Sequence, residues 1–153
     1  MQGGDLSPRV RVAAVLMKGD SVLLVRHEKG AASYWLLPGG GIEFGESLAD
    51  ALRREVREET CLDVRVGDLV LASDSIAPDG SRHVVNLCFT GEVIGGELGL
   101  GSDQRVVEAR FVPLDELQDL TVHPDLRAEL SRGIKRGFAA GEVYVGERWT
   151  PEG

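Results

Sequence analysis

The chain has 153 residues, with 17 Lys and Arg against 25 Asp and Glu, a formal charge of −8 and 42% hydrophobic residues. That size suits one domain able to bury about two-thirds of its unfolded surface without disulfides, and the ordinary composition excludes a disordered, collagen-like or disulfide-scaffold chain. The acidic balance argues against a nucleic-acid partner, and no apolar run approaches the ~20 residues of a membrane helix.

Residues 1–5 carry neither the basic nor the apolar part of an export signal, and Cys61 and Cys88 match no metal spacing, so a cytoplasmic location is the expectation. Residues 9–17 and 21–26 are apolar runs on either side of Lys18-Gly19-Asp20 and predict a hairpin. Residues 28–41 read as a loop ending in Leu37-Pro38-Gly39-Gly40-Gly41, where proline and glycines stop regular structure and let backbone approach a ligand. From 46 to 60 the spacing of Leu48, Ala51, Leu52 and Val56 predicts a helix, with Ser47 as its N-cap. Strands follow at 63–72 and 82–93, joined by the turn Pro78-Asp79-Gly80, then a glycine-rich loop at 95–101 and a strand at 109–112. Residues 124–137 predict a second helix, with proline in its first turn and glycine after its end. Residues 141–150 read as a late strand or ordered tail. The pattern is α/β or α+β in a single domain over residues 1–153, with the tail 141–153 packed on the sheet or on a second subunit of a homodimer.

One constellation carries chemistry. On the first helix Glu55, Glu58 and Glu59 stand at i, i+3 and i+4, so three carboxylates gather on one face. Like charges so placed destabilise a helix unless something offsets them, and a hard divalent cation with oxygen ligands does so. The Gly39–Gly41 stretch just before the helix can add a backbone carbonyl. A solvated acidic face is the commoner meaning of a Glu-Glu pair, but it does not call for the remote Gly40, Glu46 and Arg54.

Gly40, Glu46, Arg54, Glu55, Val56, Glu58, Glu59 and Leu62 together resemble the Nudix box, G-x5-E-x7-R-E-U-x-E-E-x-G-U, with Cys61 where the family has its second glycine. The resemblance implies an α/β/α sandwich with a mixed sheet. It also implies hydrolysis of a nucleoside diphosphate linked to another moiety, by water attack on the pyrophosphate. On it, Glu55, Glu58, Glu59 and the Gly39 or Gly40 carbonyl hold Mg²⁺ or Mn²⁺, Arg54 orients a box glutamate, and Glu46 steadies the loop. Glu55, Glu59, Asp103 and Glu108 are candidate general bases.

Arg26 and Trp35, beside Gly40 and Glu46, are candidate substrate contacts; so are Tyr34, His27 and Lys29. His27, His83 and His123 share no spacing and are not read as metal ligands. Pro78, 16 residues after Leu62 (78 − 62), is either a mark of ADP-ribose pyrophosphatases or a plain hairpin turn. An ADP-ribose-like substrate leads, a small nucleotide with neither nucleic acid nor membrane as partner. Nucleoside triphosphate pyrophosphohydrolysis and a non-catalytic ligand-binding module are the alternatives.

Overall fold

A computed structural model describes residues 7–151 of the chain. The strand Arg9–Val15, β1, decides the architecture. Val12, Ala14 and Leu16 are buried on one side and Ala13 and Val15 on the other. A strand apolar on both faces has to be covered on both faces, so it lies inside a sheet. The next strands are Met17–Lys18 (β2), Ser21–Lys29 (β3), Ala32–Leu36 (β4), Gly39–Gly41 (β5), Leu62–Ile76 (β6), His83–Gly96 (β7), Val106–Pro113 (β8) and Tyr144–Glu147 (β9). β1 pairs parallel with β7 and antiparallel with β5, and the first sheet runs β5-β1-β7-β6-β9. In the second sheet β3 pairs with β2, β4 and β8.

The hairpin expected across residues 9–26 therefore shrinks to the two-residue β2 against Ser21 and Val22. The chain changes sheets at Leu16 because β1 needs neighbours on both edges, which a hairpin partner alone does not provide. Helix α1 (Leu48–Thr60) packs Ala51, Leu52 and Val56 against Val12, Ala14 and Leu16. Helix α2 (Arg127–Arg136) brings Leu130, with Leu126 before it, to the opposite cluster around Ala13 and Val15. The result is the expected α/β/α layering with a mixed sheet. Burying Leu52 and Val56 completely stabilises it by about 2 kcal/mol each.

Several expected boundaries move. The loop at 28–41 contains β4 and β5: Gly30 at φ +62° turns the chain, and Tyr34 and Trp35 pair back onto His27 and Arg26. Helix α2 starts at Arg127 rather than 124, because the Asp125 carboxylate takes the Arg127 N–H at 3.3 Å. A 3-10 helix at Leu114–Asp119 has no periodic signal in the sequence. Pro78 sits in a hairpin turn in which the Ala77 carbonyl accepts the Gly80 N–H at 2.9 Å. β9 adds to the β6 edge of the same chain. No helix among the described residues is long and apolar enough to cross a membrane.

Cys61 closes α1 at φ 65°, ψ 12°, the left-handed conformation, with its N–H on the Arg57 carbonyl. A residue with a Cβ is strained there by about 1 kcal/mol or more, against the ~0.5–1 kcal/mol that glycine loses in chain entropy. Cys61→Gly is thus expected to raise stability by about 0.5 kcal/mol and the Tm by about 1–2 °C. Turnover stays unchanged. A melting curve that moved down would mean that the thiol makes contacts outweighing the strain.

Candidate active site

Ser47 phases the helix: its hydroxyl accepts the Asp50 N–H at 3.1 Å, which turns Leu52 and Val56 inward. The glutamates that follow are not equivalent. Glu55 is 7% exposed and Glu59 0%, whereas Glu58 is half-exposed.

Arg54 organises the outer side. Its Nε and Nη2 fork onto the two Glu46 carboxylate oxygens at 2.8 and 2.9 Å, and Nη2 also donates to the Gly41 carbonyl at 3.2 Å. Nη1 donates to Glu55 Oε1 at 2.9 Å and Glu58 Oε2 at 3.3 Å. The Arg54 fork, helped by the Glu43 N–H, holds the Glu46 carboxyl down to about 2. Burial pushes Glu55 the other way, upward, and Arg54 only partly offsets it. Such a fork fixes two atoms in a plane, so Arg54 ties the entry loop to the helix as well as neutralising charge.

The short strand β5 supplies the inner side. The ladder bonds Ala14 N–H to Pro38 O and Ile42 N–H to Val10 O leave Gly39 and Gly41 in non-hydrogen-bonded pairs, so their peptide groups face away from β1 toward α1. Gly39 N–H donates to Glu59 Oε1 at 2.7 Å. The glycine end of the expected loop is thus an ordered edge, and its glycines are there for closeness. A Cβ on Gly40 would sit 2.4 Å from the Glu55 carboxyl, and one on Gly39 would sit 1.9 Å from the Val12 carbonyl oxygen.

Among the described residues two buried side-chain oxygens are without a hydrogen bond, Glu55 Oε2 and Glu59 Oε2, the latter 3.5 Å from His27 Nε2. Carboxylate oxygens hidden from water are costly unless a cation meets them. An all-oxygen donor set of this kind fits a hard divalent ion. Among the described residues no three His, Cys, Asp or Glu side chains converge as a ready-made cage. Arg54 instead holds Glu55 and Glu58, so the carboxylates expected together on one face are divided between an arginine and a glycine edge.

Asp103 is brought to this end of the helix, because its N–H donates to the Glu58 carbonyl and Gly99 N–H to the Thr60 carbonyl, both at 3.0 Å. Arg105 grips its carboxylate at 2.8 and 3.1 Å and holds its pKa below the usual range. Glu108 lies elsewhere, paired with Arg26 at 3.1 Å and Arg110 at 3.4 Å.

Arg26 and Trp35 depart from the expected substrate contacts. Trp35 is buried, with the Arg110 and Arg26 guanidiniums 5.1 and 5.9 Å from its ring, and Arg26 also bonds Ser33. The pleat explains this: Arg26 and Trp35 share one face of the second sheet, and their neighbours His27 and Tyr34 share the other. Those neighbours face the chemistry. His27 meets Glu59, its ring lies 5.7 Å from Tyr34, and Tyr34 stacks on His123 at 4.5 Å. Tyr34 and His123 then line a cleft with Arg11, Asn86, Arg82 and Trp149. The sequence carried no spacing signal for His27 or His123, which lie on β3 and in the loop before α2.

Comparison with known proteins identifies the arrangement. The family profile described as the NUDIX domain matches residues 7–149. The chain belongs to the Nudix family. Nudix proteins are generally dependent on divalent metals, in keeping with the donor set above. An ADP-ribose pyrophosphatase of Methanocaldococcus jannaschii is 36% identical over 116 residues, 75% of this chain and 68% of that protein. A NAD-capped RNA hydrolase NudC of Pseudomonas syringae is 30% identical over 145 residues, 94% of this chain but 47% of that protein, so the chain spans about half the length of such relatives. A NUDIX hydrolase structure from Nitrosomonas europaea superposes with a TM-score of 0.75 at 27% identity, covering 90% of this chain and 93% of that one.

Proposed function

We propose that this Nudix protein hydrolyses the pyrophosphate of a nucleoside diphosphate derivative, with an ADP-ribose-like molecule as the leading substrate and Mg²⁺ or Mn²⁺ as the metal. The observation that carries this reading is Glu59: fully buried, held by the Gly39 N–H through one oxygen, with the other oxygen left without a hydrogen bond. Glu55, Glu58, Glu59 and the Gly39 carbonyl would hold the ion, which when bound neutralises phosphate oxygens and makes a water more acidic. Arg54 keeps Glu55 and Glu58 oriented, and its fork to Glu46 fixes the entry loop against the helix. In the reaction a water oxygen bonds to one phosphorus, the bridging P–O bond breaks, and two phosphate monoesters leave. Asp103, held ionised beside the helix end, is a candidate to receive the water's proton; its lowered pKa makes it a weak base. The cleft lined by Tyr34, His123 and the two arginines is linked to Glu59 through the ring contact of Tyr34 with His27, and its room for a nucleoside supports a substrate that carries one on its pyrophosphate.

The test is a phosphatase-coupled phosphate-release screen in Mg²⁺ and in Mn²⁺. Its panel holds ADP-ribose, NADH, diadenosine polyphosphates, sugar nucleotides and the nucleoside triphosphates, beside a Glu59→Gln control. One nucleoside diphosphate derivative cleaved well above the rest, and spared by the control, is the expected result. A preference for triphosphates would replace the substrate class. Silence across the panel would overturn the hydrolase reading in favour of a ligand-binding module.

A further inference from the structure

The Nudix box ends at Leu62, yet two residues of the cleft come from the far end of the chain, Trp149 and Thr150. They arrive there by a series of separate ties. β9 docks on the edge of β6, with Ala72 N–H on the Val143 carbonyl at 2.8 Å and Arg148 N–H on the Asp74 carbonyl at 2.6 Å. The Glu147 carboxylate gathers Ile76 N–H at 3.0 Å and Trp149 N–H at 2.9 Å. Past the strand, Arg148 reaches Glu129 on α2 at 3.1 Å, and the Thr150 hydroxyl accepts the Asp125 N–H at 3.2 Å. The segment thus crosses from the sheet edge to the turn before α2, and each tie on either side of residue 149 fixes where that indole stands.

The rest of the cleft explains what such an indole is for. Tyr34 and His123 form a stacked aromatic wall. Asn86 is buried and its amide is held by Ser73 and Ser75 at 3.3 and 3.0 Å. Arg11 is anchored on the Leu37 carbonyl at 2.8 Å. With both amide hydrogens of Asn86 taken by the serines, its carbonyl oxygen is left as an acceptor. Aromatic surface combined with an anchored amide oxygen and a guanidinium donor suits a flat heteroaromatic base carrying a phosphorylated sugar, and suits a plain hydrocarbon poorly. The opposite end of this wall touches His27, which itself meets Glu59.

We propose that the segment from Tyr144 to Thr150 is a strap that completes the substrate cleft, and that Trp149 is the surface against which the base of the nucleoside half rests. The proposal rests on the functional reading above. Recognition of the base is then built by the last residues of the fold, and the affinity for the nucleoside half depends on the strap being docked.

The experiment uses the full chain in EDTA, so that binding is read without turnover. AMP and ribose 5-phosphate are titrated calorimetrically against wild type, Trp149→Ala and Trp149→Phe, with melting curves for each. Base–aromatic stacking predicts that Trp149→Ala weakens AMP about tenfold or more. Ribose 5-phosphate, which lacks the base, changes less than about threefold, and Trp149→Phe restores most of the AMP affinity. In turnover assays Trp149→Ala raises KM by a similar factor with kcat nearly unchanged. AMP binding by Trp149→Ala equal to wild type overturns the strap's role, as does equal loss of AMP and ribose 5-phosphate, which would mark a loosened fold. Absence of AMP binding by wild type overturns it as well. Wild type that cleaves ADP-ribose with Trp149→Ala unaltered defeats the strap and leaves the hydrolase reading. AMP binding that depends on Trp149, in a protein silent across the substrate panel, supports the strap and defeats hydrolysis.

Discussion

Glu59→Gln is expected to lower turnover at least about a hundredfold with the fold intact, the usual weight of losing a charge-stabilising group at a phosphoryl centre. The substitution is nearly isosteric. The amide oxygen still accepts the Gly39 N–H that Glu59 Oε1 takes at 2.7 Å. The amide nitrogen then occupies the position of Oε2, where it carries no charge and donates rather than accepts. Because Glu59 is fully buried, losing its charge removes a desolvation cost, so the Tm should hold or rise. Mg²⁺ is expected to raise the Tm of the wild type and to do so less in the variant, a readout independent of catalysis. Glu58→Gln is expected to cost turnover similarly, though Glu58 is half-exposed and bonded to Arg54. Near wild-type turnover in both variants would move the metal site elsewhere.

Alanine at the two adjacent glycines should separate stability from activity. At Gly39 a Cβ would stand 1.9 Å from a backbone oxygen on β1, which cannot move without opening the β1–β5 ladder. Gly39→Ala is therefore expected to lose about 3 kcal/mol or more, lowering the Tm by several degrees. At Gly40 the obstacle is the Glu55 carboxyl, at 2.4 Å, the far end of a flexible side chain. Glu55 can turn away, so Gly40→Ala should stay folded while displacing a box glutamate, with turnover falling about tenfold or more. Thermal melts and steady-state kinetics on both variants check this. Equal stability losses, or an active Gly40→Ala, would contradict the geometry.

The box was legible in the sequence because its parts lie within a few helical turns of one another. The i, i+3, i+4 spacing of Glu55, Glu58 and Glu59, and the serine before Leu48, are local rules that backbone geometry enforces. The left-handed end of the helix at Cys61 follows from the same local geometry. The edge role of Gly39–Gly41 was not legible, since glycine gives no strand signal and only the pairing with β1 orders it. Closeness in sequence to the glycine stretch makes Trp35 and Tyr34, and the strand end before it Arg26 and His27, equal candidates for substrate contact. Strand parity places Arg26 and Trp35 on the face opposite His27 and Tyr34, of which Tyr34 lines the cleft and His27 meets Glu59.

The sequence by itself therefore determined the carboxylate helix through short-range spacing and, through the resemblance which that spacing carries, the family and its layered α/β class. The tertiary structure decided which carboxylate oxygens are buried without a hydrogen bond, which aromatic faces the cleft, and that Trp149 joins residues more than a hundred positions away, such as Tyr34. The reason is physical: periodicity fixes which face of an element a residue occupies, whereas sheet register and edge pairing alone determine what that face meets.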